Sequence, residues 1–505
     1  MSATVRSPLY SMSTPINLTP HPRAESQAKK PPLCVDLDGT LLHTDTLFEL
    51  LLVFLKRQPG KIFHLIAWLF RGKAFFKEQL SLHVQLPTSS LPIRQPLLEY
   101  LQEEAANGRS IFLATAANRR VAEQILADIP LFKGYFASDR FTNLAGDQKL
   151  RELTQQFGPK GFEYAGDSTR DLAVWRGSAG AIVVGSSARL MKTVERIAPV
   201  VRVFSQERHL LVHLIRQMRV YQWVKNTLIF LPLIGAHRVF DPWAVGQALL
   251  AFVSFSLCAS AVYTVNDLTD LAADRAHPEK KTRPLAAGDL SPLAAIWLAT
   301  VLFAASLATS ALVSPGFTAL VGFYILLTFS YSLGLKRYPV LDVLVLAGLY
   351  TTRVFGGELA TGIPVSEWLL TFSMFVFLSL ALLKRYAELR SDETASPAAS
   401  NGRGYRLSDT EAVAMLGGAA GYLAVLVFAL YINSDAVKIH YSYPRFLWLV
   451  IPLLLYWTSR MWLLAGRGEM TYDPILFSFK DRPTYAVGLM IMILLFLAGP
   501  LSPQG

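Results

Sequence analysis

The segment Asn266-Asp267-x-x-Asp270-x-x-x-Asp274 sets three carboxylates at i, i+3 and i+7. On a helix those positions share one face. Carboxylates gathered in this way repel unless a cation sits among them. Mg²⁺ takes hard oxygen ligands and often shares them between carboxylates and substrate phosphates. A basic run follows, His277-Pro278-Glu279-Lys280-Lys281-x-Arg283-Pro284, with cations able to hold phosphate oxygens. The chemistry expected here is Mg²⁺ on Asp267, Asp270 and Asp274 with a diphosphate-bearing substrate. Asn266, Lys280, Lys281 and Arg283 would contact that substrate.

A second set lies near the N-terminus, in Pro32-Leu33-Cys34-Val35-Asp36-Leu37-Asp38-Gly39-Thr40-Leu41. Two carboxylates two residues apart at the end of an apolar run can divide the labour. Asp36 would be the nucleophile and Asp38 the acid/base for the leaving group, while Gly39 lets the backbone turn. Thr115 closes a second apolar run, and its hydroxyl suits a phosphoryl oxygen. Lys149, ahead of a helical stretch, can neutralise developing charge. A third run ends in Gly166-Asp167-Ser168-x-x-Asp171, two further carboxylates that could complete a Mg²⁺ site.

The elements that must position these groups differ between the two halves. The apolar runs 32–37, 111–115, 162–166 and 181–184 alternate with helical segments, which suggests an α/β sheet with helices on its faces. Farther on, nine apolar stretches have the length a bilayer requires: 221–238, 244–266, 289–312, 315–333, 339–361, 366–383, 411–432, 444–465 and 483–501. Lys and Arg concentrate in alternate loops, after the second, fourth, sixth and eighth stretches. That alternation predicts a cytoplasmic N-terminus, with the acidic motif on the same side, and a C-terminus outside.

Composition agrees. Of 505 residues, 52% are hydrophobic and 17% charged, below the roughly one quarter usual in soluble domains. The net charge of +11 is compatible with nucleic acid, a membrane surface or an anionic substrate. No nucleic-acid-binding motif accompanies it, so membrane and anion are the expected partners. Cys34 and Cys258 match no zinc or disulfide spacing. Residues 1–30 are Ser/Pro-rich without an apolar core, so they read as a disordered tail and not a signal peptide.

On Asn266-Asp267-x-x-Asp270-x-x-x-Asp274-Arg275 with Arg283-Pro284-Leu285-Ala286-x-Gly288, the chain resembles the UbiA superfamily of membrane prenyltransferases over about 217–501. The resemblance implies an all-helical nine-span bundle with a cytosol-facing cavity. Typical members carry a second Asp-rich motif. The corresponding stretch here, Tyr331-Ser332-x-x-Leu335-Lys336-x-x-x-x-Leu341-Asp342, continues to Arg353 and has no second cluster. Together with Arg219-x-x-Gln222-Trp223-x-Lys225-Asn226, Lys384-Arg385-x-x-Glu388 and Asp473-Pro474, it looks like the decaprenyl-phosphate phosphoribosyltransferase branch. That branch uses phosphoribosyl pyrophosphate as donor and a polyprenyl phosphate as acceptor. The resemblance therefore implies substrate contacts from Lys225, Asn226, Tyr331, Lys336, Asp342, Arg353, Lys384 and Arg385.

The N-terminal motifs resemble the haloacid dehalogenase (HAD) phosphatase superfamily over about 31–205. That implies an aspartyl-phosphate on Asp36, with Mg²⁺ held by Asp36, Asp167 and the Asp38 backbone carbonyl, and Asp171 nearby. The segment 44–100 falls where this family inserts a cap. It contains Phe63-His64-Leu65-Ile66-Ala67-Trp68-Leu69-Phe70 flanked by Lys61, Arg71, Lys73 and Lys77, a composition suited to an anionic membrane surface.

The sequence is thus read as a multidomain chain: a tail (1–30), a HAD-like α/β domain (31–205, cap about 44–100), a linker or interfacial segment (206–220), and a nine-span UbiA-like bundle (221–501). The expected activity is Mg²⁺-dependent transfer of 5-phosphoribose to a polyprenyl phosphate in a bacterial inner membrane, with the N-terminal domain removing the 5-phosphate. One alternative is a prenyl diphosphate donor with an aromatic or other acceptor. Another is a non-catalytic lipid-binding or transport protein with a regulatory domain. Homo-oligomerisation is left open, and no nucleic-acid partner is expected.

Overall fold

The computed structural model describes residues 30–185, 187–205, 209–392, 403–435, 437, 441–470 and 473–499. Residues 1–29, and with them nearly all of the expected tail, lie outside the described residues.

The N-terminal half is built on six parallel strands: β1 Leu33–Val35, β2 Ile111–Asn118, β3 Gly134–Ser138, β4 Glu163–Gly166, β5 Gly180–Val184 and β6 Val200–Phe204. They run in the order β3-β2-β1-β4-β5-β6. Leu33 pairs with Ile111 on one side and Glu163 on the other, so β1 is central. Four strands were expected from apolar runs. β3 and β6 are the outer strands of the sheet and only partly buried, so they lack the continuous apolar run that marks a strand covered on both faces.

Parallel strands need crossover connections, and helices supply them. Between β1 and β2 lie α1 Thr46–Arg57, α2 Ile62–Phe70, α3 Lys73–His83 and α4 Gln95–Ala106. After them come α5 Arg119–Asp128, α6 Asp147–Phe157, α7 Leu172–Gly177 and α8 Ala188–Glu195. Side chains alternate across a strand, so Leu33 and Val35 enter one apolar cluster while Cys34 enters the other with Tyr164 and Trp175. In the segment 44–100, α2 buries no residue. Phe63, Ile66 and Phe70 are 77%, 56% and 89% exposed, while Leu65 and Trp68 on the opposite face pack against the core cluster, so one apolar face of this helix is seated and the other is bare.

The segment expected as a linker is mostly α9 Leu210–Met218, whose Leu210, Leu211, Val212 and Ile215 are exposed. Beyond it, seven helices are long and apolar enough to cross a membrane: α10 Pro242–Thr269, α11 Pro292–Val313, α12 Pro315–Leu333, α13 Leu341–Thr361, α14 Glu367–Arg390, α15 Leu407–Ile432 and α16 Pro444–Gly466. A shorter apolar helix follows, α17 Arg482–Ala498.

The expected first span, 221–238, takes another form: an eleven-residue 3₁₀ helix, Val220–Phe230, and a five-residue α-helix, Leu231–Gly235. Lys225 and Asn226 are buried in this stretch and paired. Pro232 lacks the N–H that a continuous helix would need. The backbone comes so close to α13 that a Cβ on Gly357 would lie 2.2 Å from the Ile229 carbonyl oxygen. Small residues also join α10 to α11, where Ser254 and Ser306 each donate a hydroxyl to the other's carbonyl, at 2.9 and 2.8 Å.

The two exposed and buried aromatics in the N-terminal half give opposite expectations. Trp175 is fully buried and donates its indole N–H to the Tyr164 carbonyl at 3.0 Å. Trp175→Ala should cost about 3–5 kcal/mol. Phe70→Ser should change stability by no more than about 0.5 kcal/mol. Urea unfolding of the full-length protein, followed by hydrogen exchange in the sheet, measures both.

Candidate functional site

The C-terminal ends of β1, β2 and β4 meet at one place in the N-terminal half. Asp36 follows β1. Lys149, on α6, donates to Asp36 Oδ1 at 2.8 Å and to the Tyr164 hydroxyl at 2.8 Å. That hydroxyl donates to Asp171 Oδ1 at 2.8 Å. The other Asp171 oxygen accepts from the Asp167 and Ser168 N–H groups at 3.2 and 3.0 Å, which fixes the loop after β4. Carboxylate oxygens of Asp36, Asp167 and Asp171 all lie within 4.8 Å of one another. Hard oxygen donors at that spacing fit a Mg²⁺ ion.

Gly39 makes this approach possible. Its φ is +78°, and a Cβ there would stand 2.4 Å from Asp167 Oδ2. Arg94, 5% exposed, donates to the Thr40 and Gly39 carbonyls at 3.1 and 3.2 Å and pins the same turn. Thr115 Oγ1 accepts from the Ala117 N–H at 2.9 Å, which leaves its own proton for a ligand.

Asp38 does not join the carboxylate cluster among the described residues. Its Oδ1 accepts the Thr46 N–H at 2.8 Å, in the first turn of α1. Burial, reinforced by the charge of Asp45, pushes the Asp38 carboxyl up to about 8. Burial pushes Asp36 up to about 6 against the opposing charge of Lys149. Lys77, from α3, reaches the edge of the site and donates to the Ala116 carbonyl and Asn143 at 2.6 and 2.8 Å. Burial holds its ammonium below the ordinary lysine value.

In the membrane half the acidic motif is not one straight helical face. α10 ends at Thr269, Asp270 is its cap, and a short helix, Leu271–Ala276, starts anew. The break turns Asp270 away while Asp267 and Asp274 converge on Arg283, whose Nη1 donates to them at 3.1 and 2.5 Å. Arg219 and Gln217 also donate to Asp267, at 2.5 and 2.8 Å. Guanidinium groups thus supply the cation that the clustered carboxylates demand. Among the described residues Asp267, Asp270 and Asp274 do not gather into a three-carboxylate cluster of the kind that Asp36, Asp167 and Asp171 form. Asn266 Oδ1 accepts from Ser332 at 3.0 Å.

Deeper, Lys225 donates to Asp473 at 2.5 Å and to Gln222 at 3.1 Å. Asn226 accepts from Arg353 Nε at 2.7 Å, and Arg353 also donates to the Tyr324 hydroxyl at 3.1 Å. Arg385 donates to Asp342 at 2.5 Å, to Glu388 at 2.6 Å and to Tyr331 at 2.9 Å. Tyr405 donates to the remaining Asp342 oxygen at 2.7 Å. Tyr331, Asp342 and Arg385 are therefore bound to one another in a buried network. The side chains of Lys280, Lys281 and Lys384 make no hydrogen bond or ion pair among the described residues, and Lys336 stands 4.0 Å from Asp270. Gln217 was not singled out in the sequence, and Arg219 and Asp473 entered only as part of the family resemblance, without a site role; all three lie far from the motif in the chain.

Apolar helices of bilayer length, with buried ionic groups at one end, define an integral membrane protein. The chain belongs to the UbiA prenyltransferase family, which it matches over residues 227–479, and is a UbiA-type transferase. It is 34% identical to the uncharacterized protein y4nM of Sinorhizobium fredii over 92% of this chain and 90% of that one. It is 36% identical to the nodulation protein NoeC of Azorhizobium caulinodans over 52% of this chain and 85% of that one. It is 38% identical to decaprenyl-phosphate phosphoribosyltransferase of Mycobacterium tuberculosis over 38% of this chain and 64% of the enzyme. The match thus spans less than two thirds of that enzyme.

The two types of cation predict different costs. Asp342 is fully buried and Arg385 is 2% exposed. Asp342→Asn leaves a buried charge short of its partner and should destabilise the membrane half by roughly 3–5 kcal/mol. Lys280→Gln, which breaks no pair, should leave stability within about 0.5 kcal/mol. Thermal unfolding in detergent distinguishes them.

Proposed function

We propose that the membrane half transfers 5-phosphoribose from phosphoribosyl pyrophosphate to a polyprenyl phosphate, and that the N-terminal half is a HAD-type phosphatase that removes the 5-phosphate of the product. The observation that carries the transferase reading is the charge balance of the membrane site. One acidic motif is faced by several cations. Asp342, where a second motif would stand, is consumed by Arg385 and Tyr405. A prenyl diphosphate held between two acidic clusters finds only one here among the described residues. The partial likeness to decaprenyl-phosphate phosphoribosyltransferase supports the same donor and acceptor.

In the transfer, a phosphate oxygen of the lipid attacks C1 of the ribose, and the bond from C1 to the diphosphate breaks. The lipid phosphate is already anionic at neutral pH, so no strong base is required. Lys280, Lys281 and Lys384 are free to bind the donor's phosphates, and Asn226 and Arg353 shape the inner end. Asp267 and Asp274 would hold Mg²⁺, which lowers the cost of charge on a departing diphosphate.

In the hydrolysis, Asp36 attacks phosphorus while the bond to the ribose 5-oxygen breaks. Asp38 donates a proton to that oxygen, then takes one from the water that releases phosphate from Asp36. Lys149 holds Asp36 in place, and Thr115 can donate to a phosphoryl oxygen. Asp36, Asp167 and Asp171 would hold Mg²⁺ there. The proposed setting is a bacterial inner membrane with both sites on the cytoplasmic face. The exposed apolar side chains of α2 and α9 would lie on that surface. The relative y4nM matches over 92% of this chain, a span that takes in both halves, which is what two coupled steps would favour.

Full-length protein with labelled phosphoribosyl pyrophosphate, Mg²⁺ and polyprenyl phosphate should yield lipid-soluble label. Absence of label with every acceptor tried would sink the reading. Asp36→Asn should accumulate the 5-phosphorylated lipid, and normal dephosphorylation by that variant would refute the coupling.

The pH profile of phosphatase action tests the acid/base assignment separately. Below about 6, Asp36 gains a proton and loses its nucleophilic form. Above about 8, Asp38 loses the proton it must donate. Hydrolysis of p-nitrophenyl phosphate should therefore fall on both sides, with a bound divalent cation carrying the acid limb lower. Asp38→Asn should abolish the alkaline limb, and survival of that limb would reassign the acid.

A further inference from the structure

The two halves meet through helix α1, and the contact reaches the acidic motif itself. Arg275 follows Asp274 directly, and its guanidinium donates to both Glu49 oxygens, at 3.1 and 2.7 Å. Each side chain is 5% exposed, so this is a buried bidentate pair between the halves. Thr44 donates to the same carboxylate at 2.6 Å, and Arg275 Nε donates to the Ala286 carbonyl at 3.2 Å. Leu52, one turn farther along α1, packs on the cluster of Leu268, Leu271, Leu285 and Leu290. Gly288 completes the fit. Its φ is +82°, and a Cβ there would lie 2.5 Å from His43 Cβ. Nothing larger than glycine lets the halves approach this closely.

This clamp fixes where α1 ends. In its last turn, Lys56 Nζ donates to the Thr269 carbonyl at 2.8 Å and to Asp270 Oδ1 at 3.1 Å. Lys336, from the membrane half, stands 4.0 Å from Asp270 Oδ2. One carboxylate therefore faces two ammonium groups, a local excess of one positive charge. Lys56 is 54% exposed and Asp270 41%, so the ion pair itself adds little stability. A clamp that is buried, holding an ammonium that is not, leaves that ammonium free to take another oxygen.

We infer that Lys56 of the N-terminal half is a phosphate-binding residue of the membrane half's site, held there by the Glu49–Arg275 clamp, with Asp270 orienting it. The ligand is the diphosphate of the donor, so the inference rests on the reading that this site takes a diphosphate-bearing substrate. Asp267 and Asp274 share Arg283 on the inner side of the helix break, and Lys56 and Lys336 flank Asp270 on the outer side. A diphosphate at the motif then meets cations contributed by both halves. The transferase site is complete only when the N-terminal half is docked.

Transfer kinetics of the full-length protein provide the test. Lys56→Met should raise KM for phosphoribosyl pyrophosphate about tenfold, the effect of one charge-assisted hydrogen bond. It should weaken inhibition by inorganic pyrophosphate by the same factor, with kcat within threefold of wild type. Lys56→Arg should restore most of the affinity. Glu49→Gln, which keeps the Lys56 side chain but breaks the clamp that positions it, should raise KM in the same way. A merely structural role would lower the unfolding temperature of Lys56→Met and leave KM and pyrophosphate inhibition unchanged, and that result overturns the inference alone. A fall in kcat at constant KM overturns it as well. If wild type transfers no label from phosphoribosyl pyrophosphate, the underlying reading fails, and the inference with it.

Discussion

Carboxylates buried near one another must be offset by positive charge, and most of this molecule's polar architecture follows from that requirement. Burying a charge costs several kcal/mol unless a partner and hydrogen bonds replace its water. Several of the acidic groups here have a cation beside them. Lys149 offsets Asp36, Arg283 and Arg219 offset Asp267, Lys225 offsets Asp473, and Arg385 offsets Asp342. The partners come from elements far apart in the chain. Satisfying the charges therefore fixes how helices and strands sit, and a folding requirement becomes a set of preformed anion and cation sites.

The same requirement separates groups that brace from groups that can bind. Arg385 is buried with Asp342, Glu388 and Tyr331 around it, and three of its five N–H donors are taken by them. Lys384, its neighbour in the chain, makes no side-chain hydrogen bond among the described residues and feels Glu388 and Asp473 only at longer range. Two adjacent basic residues thus have different roles, because a helix sends neighbours to different faces.

The sequence was most legible where chemistry is local. Asp36-x-Asp38-Gly39 and Gly166-Asp167-x-x-x-Asp171 each sit on one strand-to-helix turn, so their spacing already described their geometry. The central strands announced themselves by continuous apolar runs, whereas β3 and β6, half covered, did not. The membrane helices were legible by length. The stretch around Lys225 was not, since its 3₁₀ form depends on Asp473 and Arg353, more than a hundred residues away. The straight acidic face failed for a similar reason. A turn that breaks at Asp270 exchanges a shared face for separate ion pairs with Arg283 and Lys56, and no local spacing encodes those partners.

The seam between the halves links the two sites mechanically. α1 begins with the Thr46 N–H on Asp38 and ends with Lys56 on Asp270. Its twelve residues make a rod of about 18 Å. On the proposed reading, that rod sets how far the lipid-linked product must travel between the sites. A ribose 5-phosphate cannot reach Asp36 while the ribose is still held at the membrane half's site, so the product must leave the first site before the second can act. The exposed apolar faces of α2 and α9 then gain a purpose that packing does not give them. They would keep the N-terminal half against the bilayer, where a departing polyprenyl chain remains within reach. Fusion in that case works through local concentration at a surface, without a closed tunnel, and the buried Glu49–Arg275 pair preserves the spacing on which it depends.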